Sequence, residues 1–244
     1  MPAFDAYCEG VRIQLERIAT LQRTAIAQAA LWIADAFEQG RFLRVFGTGH
    51  SHLLAEELFY RAGGLVRVIP ILDEDLMLHR SATRSTALER ESGRAGPLLQ
   101  RYGVTAGDIL IVASNSGRNA VPVDLALEAR ALGVRVIALT NLVQSRAWPS
   151  RHPSGSHLAE VADLVIHNEG ADGDAVVEIP GLPTRVGPTS TITGAFILNL
   201  IAVQTAETAL GRGRPPAVFV SSNAGGDLHN ASQIEAMRPF NPHL

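Results

Sequence analysis

The stretch Asp108–Asn141, DILIVASNSGRNAVPVDLALEARALGVRVIALTN, limits the fold more than any other part of the chain. Ile109–Ala113 is a short apolar run with β-branched residues, the pattern of a strand buried on both faces. Val121, Leu125, Leu127, Ala129 and Leu132 then recur at near-helical spacing, and Gly133 stands where a helix stops. Val134–Thr140 reads as a second buried strand. Between the first strand and the helix lies Ser114-Asn115-Ser116-Gly117-Arg118-Asn119, a turn crowded with hydroxyls and amides. A turn at the carboxyl end of a parallel strand that opens a helix offers free N–H groups and a positive dipole end. Small hydroxyl side chains beside those groups make a neutral cradle for an anion, a phosphate above all. Capping and turn roles alone would explain one such residue and leave the cluster unexplained.

The rest of the chain repeats the alternation. Residues 3–38 read as one or two helices with an apolar stripe through Val11, Leu15, Ile18, Ile26, Ile33 and Phe37. Arg41–Phe46 is a strand, Gly47-Thr48-Gly49-His50-Ser51 a glycine-rich turn, and Leu53–Ala62 a helix. Val66–Leu72 is a strand that Pro70 places near a sheet edge. Helical turns are expected at Ser85–Glu91 and Pro97–Arg101, a loop over Asn141–Ser156, a helical turn at His157–Ala162 and a strand at Asp163–His167. Val176–Pro180 is a further short strand, Ser190–Leu210 a long helix, Ala217–Val220 a last strand, and the C-terminus a polar tail. Strands alternating with helices give right-handed crossovers and an α/β fold: a three-layer, doubly wound, mostly parallel sheet. The expected organisation is an N-terminal helical extension over residues 1–38 and one sheet domain over 39–244. Ligands of such sheets sit outside the strands' carboxyl ends, where the strand order reverses.

Composition narrows the chemistry. With 46% apolar and 18% charged residues this is an ordinary globular composition, and a net charge of −3 gives no basic field for nucleic acid. Cys8 is the only cysteine, which excludes an internal disulfide and thiolate zinc clusters. The sequence contains no lysine, so Schiff-base catalysis through a protein amine and a Walker-type phosphate loop are both excluded. No secretory signal opens the chain, and Ile192–Val203, interrupted by Thr193, Gly194 and Asn199, reads as too short to span a bilayer. A cytoplasmic location without a membrane partner is the expectation. His152, His157 and His167 with Asp163, Asp172 and Asp174 match no metal-ligand spacing, so neither metal nor cofactor is expected.

Taken together, the turns resemble those of the sugar isomerase (SIS) domain, a phosphosugar-binding module. Gly47–Ser51 (GTGHS) is similar to that family's G-x-G-x-S loop, and SNSG with Asn119 to its S-x-S-G loop. Gly187–Thr191 (GPTST), opening the long helix, resembles its third contact region. The likeness covers roughly residues 35–212. Ser51–Leu65, Ser150–Gly155 and Phe219–Asn230 are further similar to a subgroup labelled phosphosugar or phosphoheptose isomerases. The resemblance implies a sugar phosphate whose phosphate rests on Ser114, Ser116 and Asn119. Gly49, Ser51, Asn115, Thr189, Ser190 and Thr191 would approach the sugar or complete the phosphate shell.

Aldose–ketose isomerisation through an enediol needs a base between adjacent carbons and an acid for ring opening. Glu56 and Glu57 lie on the helix after the first turn. Glu74 with His79 resembles the glutamate and downstream histidine of several SIS isomerases, and His229 lies near the C-terminus. Glu74, Glu57 and His79 are the preferred catalytic candidates. The histidine–glutamate pair of metal-dependent phosphoheptose isomerases is replaced here by Glu57 and Arg61, and their Gln-x-x-His pattern is missing from Ile192–Asn199. Of the two glutamates used by lactyl etherases, one position falls near Arg61 and Glu91 could stand in for the other. The leading expectation is an isomerase of a sugar phosphate. The alternatives are a sensor that binds without turnover, or a lyase or etherase of an amino-sugar phosphate. The wide stripe on the N-terminal helix predicts a homodimer or homotetramer.

Overall fold

The computed structural model describes residues 2–244. Two helices open the chain, α1 (Pro2–Leu21) and α2 (Arg23–Glu38), followed by β1 (Leu43–Gly47), α3 (His52–Leu58) and β2 (Val68–Ile71). Next come α4 (Ala82–Leu88), α5 (Ala95–Arg101), β3 (Ile109–Ala113), α6 (Ala120–Ala131) and β4 (Arg135–Thr140). The second half holds α7 (Leu142–Ala147), α8 (Leu158–Val161), β5 (Leu164–His167), β6 (Ala175–Val177) and β7 (Val186–Pro188). It closes with α9 (Ser190–Gly211) and α10 (Asp227–Met237).

β1 to β5 form one parallel sheet in the order β2-β1-β3-β4-β5. The pleat sends alternate residues of β3 to opposite faces. Ile109, Ile111 and Ala113 pack with Ile33, Leu54 and Ile197 of α2, α3 and α9. Leu110 and Val112 pack with Leu99, Leu125 and Leu158 of α5, α6 and α8. Both faces are therefore covered, and each fully buried Leu or Ile contributes roughly 1.5–3 kcal/mol of transfer free energy. The chain is a three-layer, doubly wound α/β protein. Ala29 and Ile33 of α2 share a core with Ile197, Leu198 and Ile201 of α9, so packing is continuous across residue 38. β2 is an edge strand, which accommodates Pro70.

A charge pair buried at the sheet is matched. Arg44 of β1, 2% exposed, donates through Nε to Asp108 at 3.0 Å and through Nη1 to the Tyr102 carbonyl at 2.7 Å. Asp108 also accepts the Phe42 N–H at 3.0 Å, so neither charge is left bare in the core.

Several elements differ from the sequence expectation. The expected loop after β4 begins with α7, because Asn141 Oδ1 accepts the Val143 and Gln144 N–H groups and caps a helix. α3 stops at Leu58 rather than Ala62, since Phe59 turns extended and Tyr60 takes a φ of +43°. Residues 217–220 form no sheet strand. Pro215 and Pro216 lack N–H donors, and only an antiparallel bridge joins Val218 to Leu65. The short strand near Val176 is β6, which pairs antiparallel with β7 outside the main sheet. The polar tail contains α10, anchored by Met237 in the core and by Asn230, which exchanges hydrogen bonds with the Val220 backbone. α9, by contrast, matches the long helix expected at Ser190–Leu210 to within one residue. By length and hydropathy alone it could cross a membrane, yet Ile197, Leu198 and Ile201 place one face in the core.

Candidate functional site

The strand order reverses between β1 and β3, and the turns that follow these strands flank the resulting crevice. After β1 the chain folds back so tightly that a Cβ on Gly47 would lie 2.3 Å from the Ser51 carbonyl oxygen, and only glycine fits. After β3, Gly117 adopts a φ of +59°, turning the chain into α6. The third turn leads from β7 into α9. His50, Ser51, Ser114, Asn115, Ser190 and Thr191 line one narrow cleft, with Leu54 and Gly194 on its apolar wall. Gly49, Ser116, Asn119 and Thr189 stand in the same turns beside them.

The two helix starts at this cleft are finished differently. At α6, the Ser114 hydroxyl accepts the Gly117 N–H at 3.2 Å. Asn119 sits at the cap position in an extended conformation, and its side chain makes no capping bond. Instead its Oδ1 accepts from Arg151 Nη1 at 3.0 Å. The N–H groups of Ser116 and Asn119 find no acceptor among the described residues. That is the open donor array an anion needs. At α9, Asp174 Oδ1 accepts the Ser190 N–H at 2.8 Å and the Thr189 N–H at 3.1 Å, and Asp174 Oδ2 accepts the Ser190 hydroxyl at 2.6 Å. The Thr189 hydroxyl is buried without a partner. Asn115 is held in an amide network, donating to Gln144 at 2.7 Å and accepting from Asn168 at 2.7 Å.

None of the three preferred catalytic candidates lines the cleft. Glu74 is exposed and paired with Arg80 at 2.7 Å. Glu57 is tied to Arg61 and accepts from Asn199 of α9 at 2.8 Å, well along the helix from Ser51. His79 is exposed, with its ring 6.4 Å from that of His52 beside the first turn. His229 hydrogen-bonds the Val218 carbonyl at 3.2 Å. Besides Asp174 at the third turn, a carboxylate that the sequence did not single out reaches the first turn from outside the cleft lining. Glu89, at the end of α4, accepts the Thr48 hydroxyl at 2.6 Å, and its carbonyl accepts the Val121 N–H of α6 at 3.1 Å. Only the fold brings α4 to this place, and nothing local in the sequence separates Glu89 from Glu91.

The surroundings of α6 also carry positive charge. Arg118 lies in the turn itself, its guanidinium carbon 5.8 Å from the centre of the Trp148 ring. The Arg151 N–H donates to the Arg118 carbonyl at 2.7 Å, which lays residues 148–157 across the turn like a strap. His152 on this strap bonds Asp124 of α6 at 2.7 Å. Among the described residues no three His, Cys, Asp or Glu side chains form a group that could hold a metal ion.

Comparison with known proteins now bears on this arrangement. The family profile of the SIS domain matches residues 6–141. The chain belongs to the SIS-domain family. A UPF0309 protein of Halalkalibacterium halodurans is 43% identical over 240 residues, covering 98% of this chain and 96% of that one. A UPF0309 protein of Geobacillus thermodenitrificans is 41% identical over 241 residues, at 98% and 97% coverage. Among solved structures, this SIS domain is similar to a phosphoheptose isomerase from Francisella tularensis, with a TM-score of 0.54, 20% identity, and coverage of 84% of this chain and 96% of that one. It is also similar to the Vibrio vulnificus NanR protein complexed with ManNAc-6P, at a TM-score of 0.51, 18% identity, and coverage of 96% and 69%. The SIS fold is thereby shown, and the family match spans the first two turns.

Proposed function

We propose that this SIS-domain protein binds a sugar phosphate at the α6 turn and interconverts its aldose and ketose forms through an enediol. The observation that carries the reading is the convergence of three hydroxyl-rich turns, far apart in sequence, on one cleft beside an uncapped helix start. The phosphate accepts from the free N–H groups near Ser116 and Asn119, and the sugar runs toward Ser51, Ser190 and Thr191. Glu89, the carboxylate joined to Thr48, is the base, in preference to Glu74 and Glu57, which are engaged by arginines elsewhere. It takes the proton on the carbon beside the carbonyl and returns it to the neighbouring carbon. His50, on the cleft wall, is the acid for ring opening. The chemistry needs no cofactor.

A sensor that binds without turnover is the second reading, favoured by the distance of Glu57, Glu74 and His79 from the cleft. A thermal-shift screen of sugar phosphates followed by proton exchange in deuterated water separates the two. Exchange next to the carbonyl, lost in Glu89→Gln, supports the isomerase. Binding with no exchange supports the sensor, and unchanged affinity in Ser116→Ala removes the phosphate assignment. Self-association belongs to the same proposal: Phe4, Ile13 and Leu21 of α1 and Val203 and Leu210 of α9 are exposed. Sedimentation of the native protein as a monomer would remove it.

A further inference from the structure

The turn at α6 reads from sequence as a neutral cradle, yet the fold surrounds it with arginines drawn from separate segments. Arg118 comes from the turn itself and Arg151 from the strap over residues 148–157. The Nε of Arg118 is buried and has no hydrogen-bond partner. A desolvated, charged donor without an acceptor is costly and persists where something outside the chain supplies the acceptor. The guanidinium is also fixed in place. The Trp148 ring lies against it, and the backbone bond from Arg151 to the Arg118 carbonyl holds the segment behind it.

Arg151 is placed for the same purpose. Its Nη1 donates to Asn119 Oδ1 at 3.0 Å, which sets the guanidinium at the start of α6 and leaves its other N–H groups free. Partial desolvation, together with the nearby charges of Arg118 and Arg90, pulls the Arg151 pKa down, while Glu89 opposes that shift. Arg118 and Arg151 are therefore neighbouring like charges at the start of α6. Such an arrangement wastes electrostatic energy in the empty protein and recovers it when an anion arrives.

We infer that Arg118 and Arg151 form a cationic seat against the α6 turn that binds a phosphate dianion, so that anion recognition here is arginine-assisted rather than neutral. The inference rests on the phosphosugar reading for the identity of the ligand, but it concerns charge and can be tested without a sugar. The surplus of positive charge suits a doubly charged group. Asp124 holds the strap through His152 and also accepts the Gly93 N–H at 3.1 Å from the segment after Glu89 and Arg90, so one α6 carboxylate tethers both flanks of the seat.

The test is titration of the full-length protein with inorganic phosphate by calorimetry at low and moderate salt. It uses the wild type, Arg151→Gln, Arg118→Gln and Ser116→Ala. Removing one charge-assisted contact is expected to weaken phosphate binding about tenfold or more. The wild-type affinity should also fall with added salt, and more steeply than that of the arginine variants. Arg151 lies on the exposed strap, so Arg151→Gln keeps the test decisive should Arg118→Gln unfold. If Arg151→Gln keeps wild-type phosphate affinity and salt dependence while Ser116→Ala loses affinity, the cradle is neutral and the inference falls, with the phosphosugar reading intact. Failure of the wild type to bind inorganic phosphate at all overturns the seat. Failure to bind any sugar phosphate overturns the functional reading as well.

Discussion

Replacing Gly117 by alanine tests whether the α6 turn is held in the shape described. Gly117 has a φ of +59°, a conformation that costs an L-residue roughly 1–2 kcal/mol relative to glycine. The added Cβ would lie 2.8 Å from Thr140 Oγ1, nearer than real Cβ contacts come, and 3.4 Å from Ser145 Oγ. Thr140 Oγ1 donates to the Asn115 carbonyl at 3.3 Å, so moving the hydroxyl aside breaks a bond that contributes about 1 kcal/mol. Gly117→Ala should therefore destabilise by about 2–3 kcal/mol, lowering the melting temperature by about 4–12 °C for a chain of this length. Urea unfolding with an unchanged m-value is the assay. Thr140→Ala in the same background removes the obstructing oxygen. The two changes together should cost less than the sum of the single losses, by about 1 kcal/mol. A stability within 0.5 kcal/mol of wild type for Gly117→Ala, the scale of an ordinary surface change of about that size, would refute the left-handed turn and the anion array built on it.

Two further predictions concern the frame. Arg44→Met leaves the Asp108 carboxylate buried without its partner and should cost about 3–5 kcal/mol in urea unfolding, part of which Arg44→Met with Asp108→Asn regains. At the C-terminus, His243 Nε2 lies 2.9 Å from the Tyr102 hydroxyl, and burial, with the Arg101 charge nearby, lowers its pKa below the ordinary imidazole value. Because the unfolded chain then takes up a proton first, stability should fall as the pH drops below about 6.5. The loss should level off only once the folded imidazole titrates, and His243→Leu should show a shallower acid slope in urea midpoints.

The β3–α6–β4 unit was legible because its signals are local. Ile109–Ala113 is apolar throughout, Gly133 ends the helix, and both strands lie within about a residue of where the pattern sets them. α7 was hidden because Asn141, Pro149 and Pro153 look like loop residues, although Asn141 is a cap. α10 has no apolar face to announce it, and its anchors Asn230 and Met237 gain meaning only from Val220 and the core. Residues 217–220 have strand composition, but they meet the segment before β2 only through an antiparallel bridge at Leu65 and Val218. The hydroxyl-rich turn between β3 and α6 followed from sequence; its charged neighbours did not. Glu89, Arg90 and Arg151 sit outside the turns, and their approach to α6 is set by the long-range path of the chain.

The Asp174 carboxylate, which reaches the start of α9 from the segment before β6, bears on which ligands suit the proposed site. With unclaimed N–H groups at the start of α6, the proposed function would orient a sugar with one charged end one way: phosphate to α6, neutral hydroxyls to Ser190 and Thr191. A sugar phosphorylated at both ends would press its second phosphate toward an aspartate. On the proposed function, discrimination of this kind would come from repulsion rather than from any added contact, disfavouring bisphosphates without a residue dedicated to reading them.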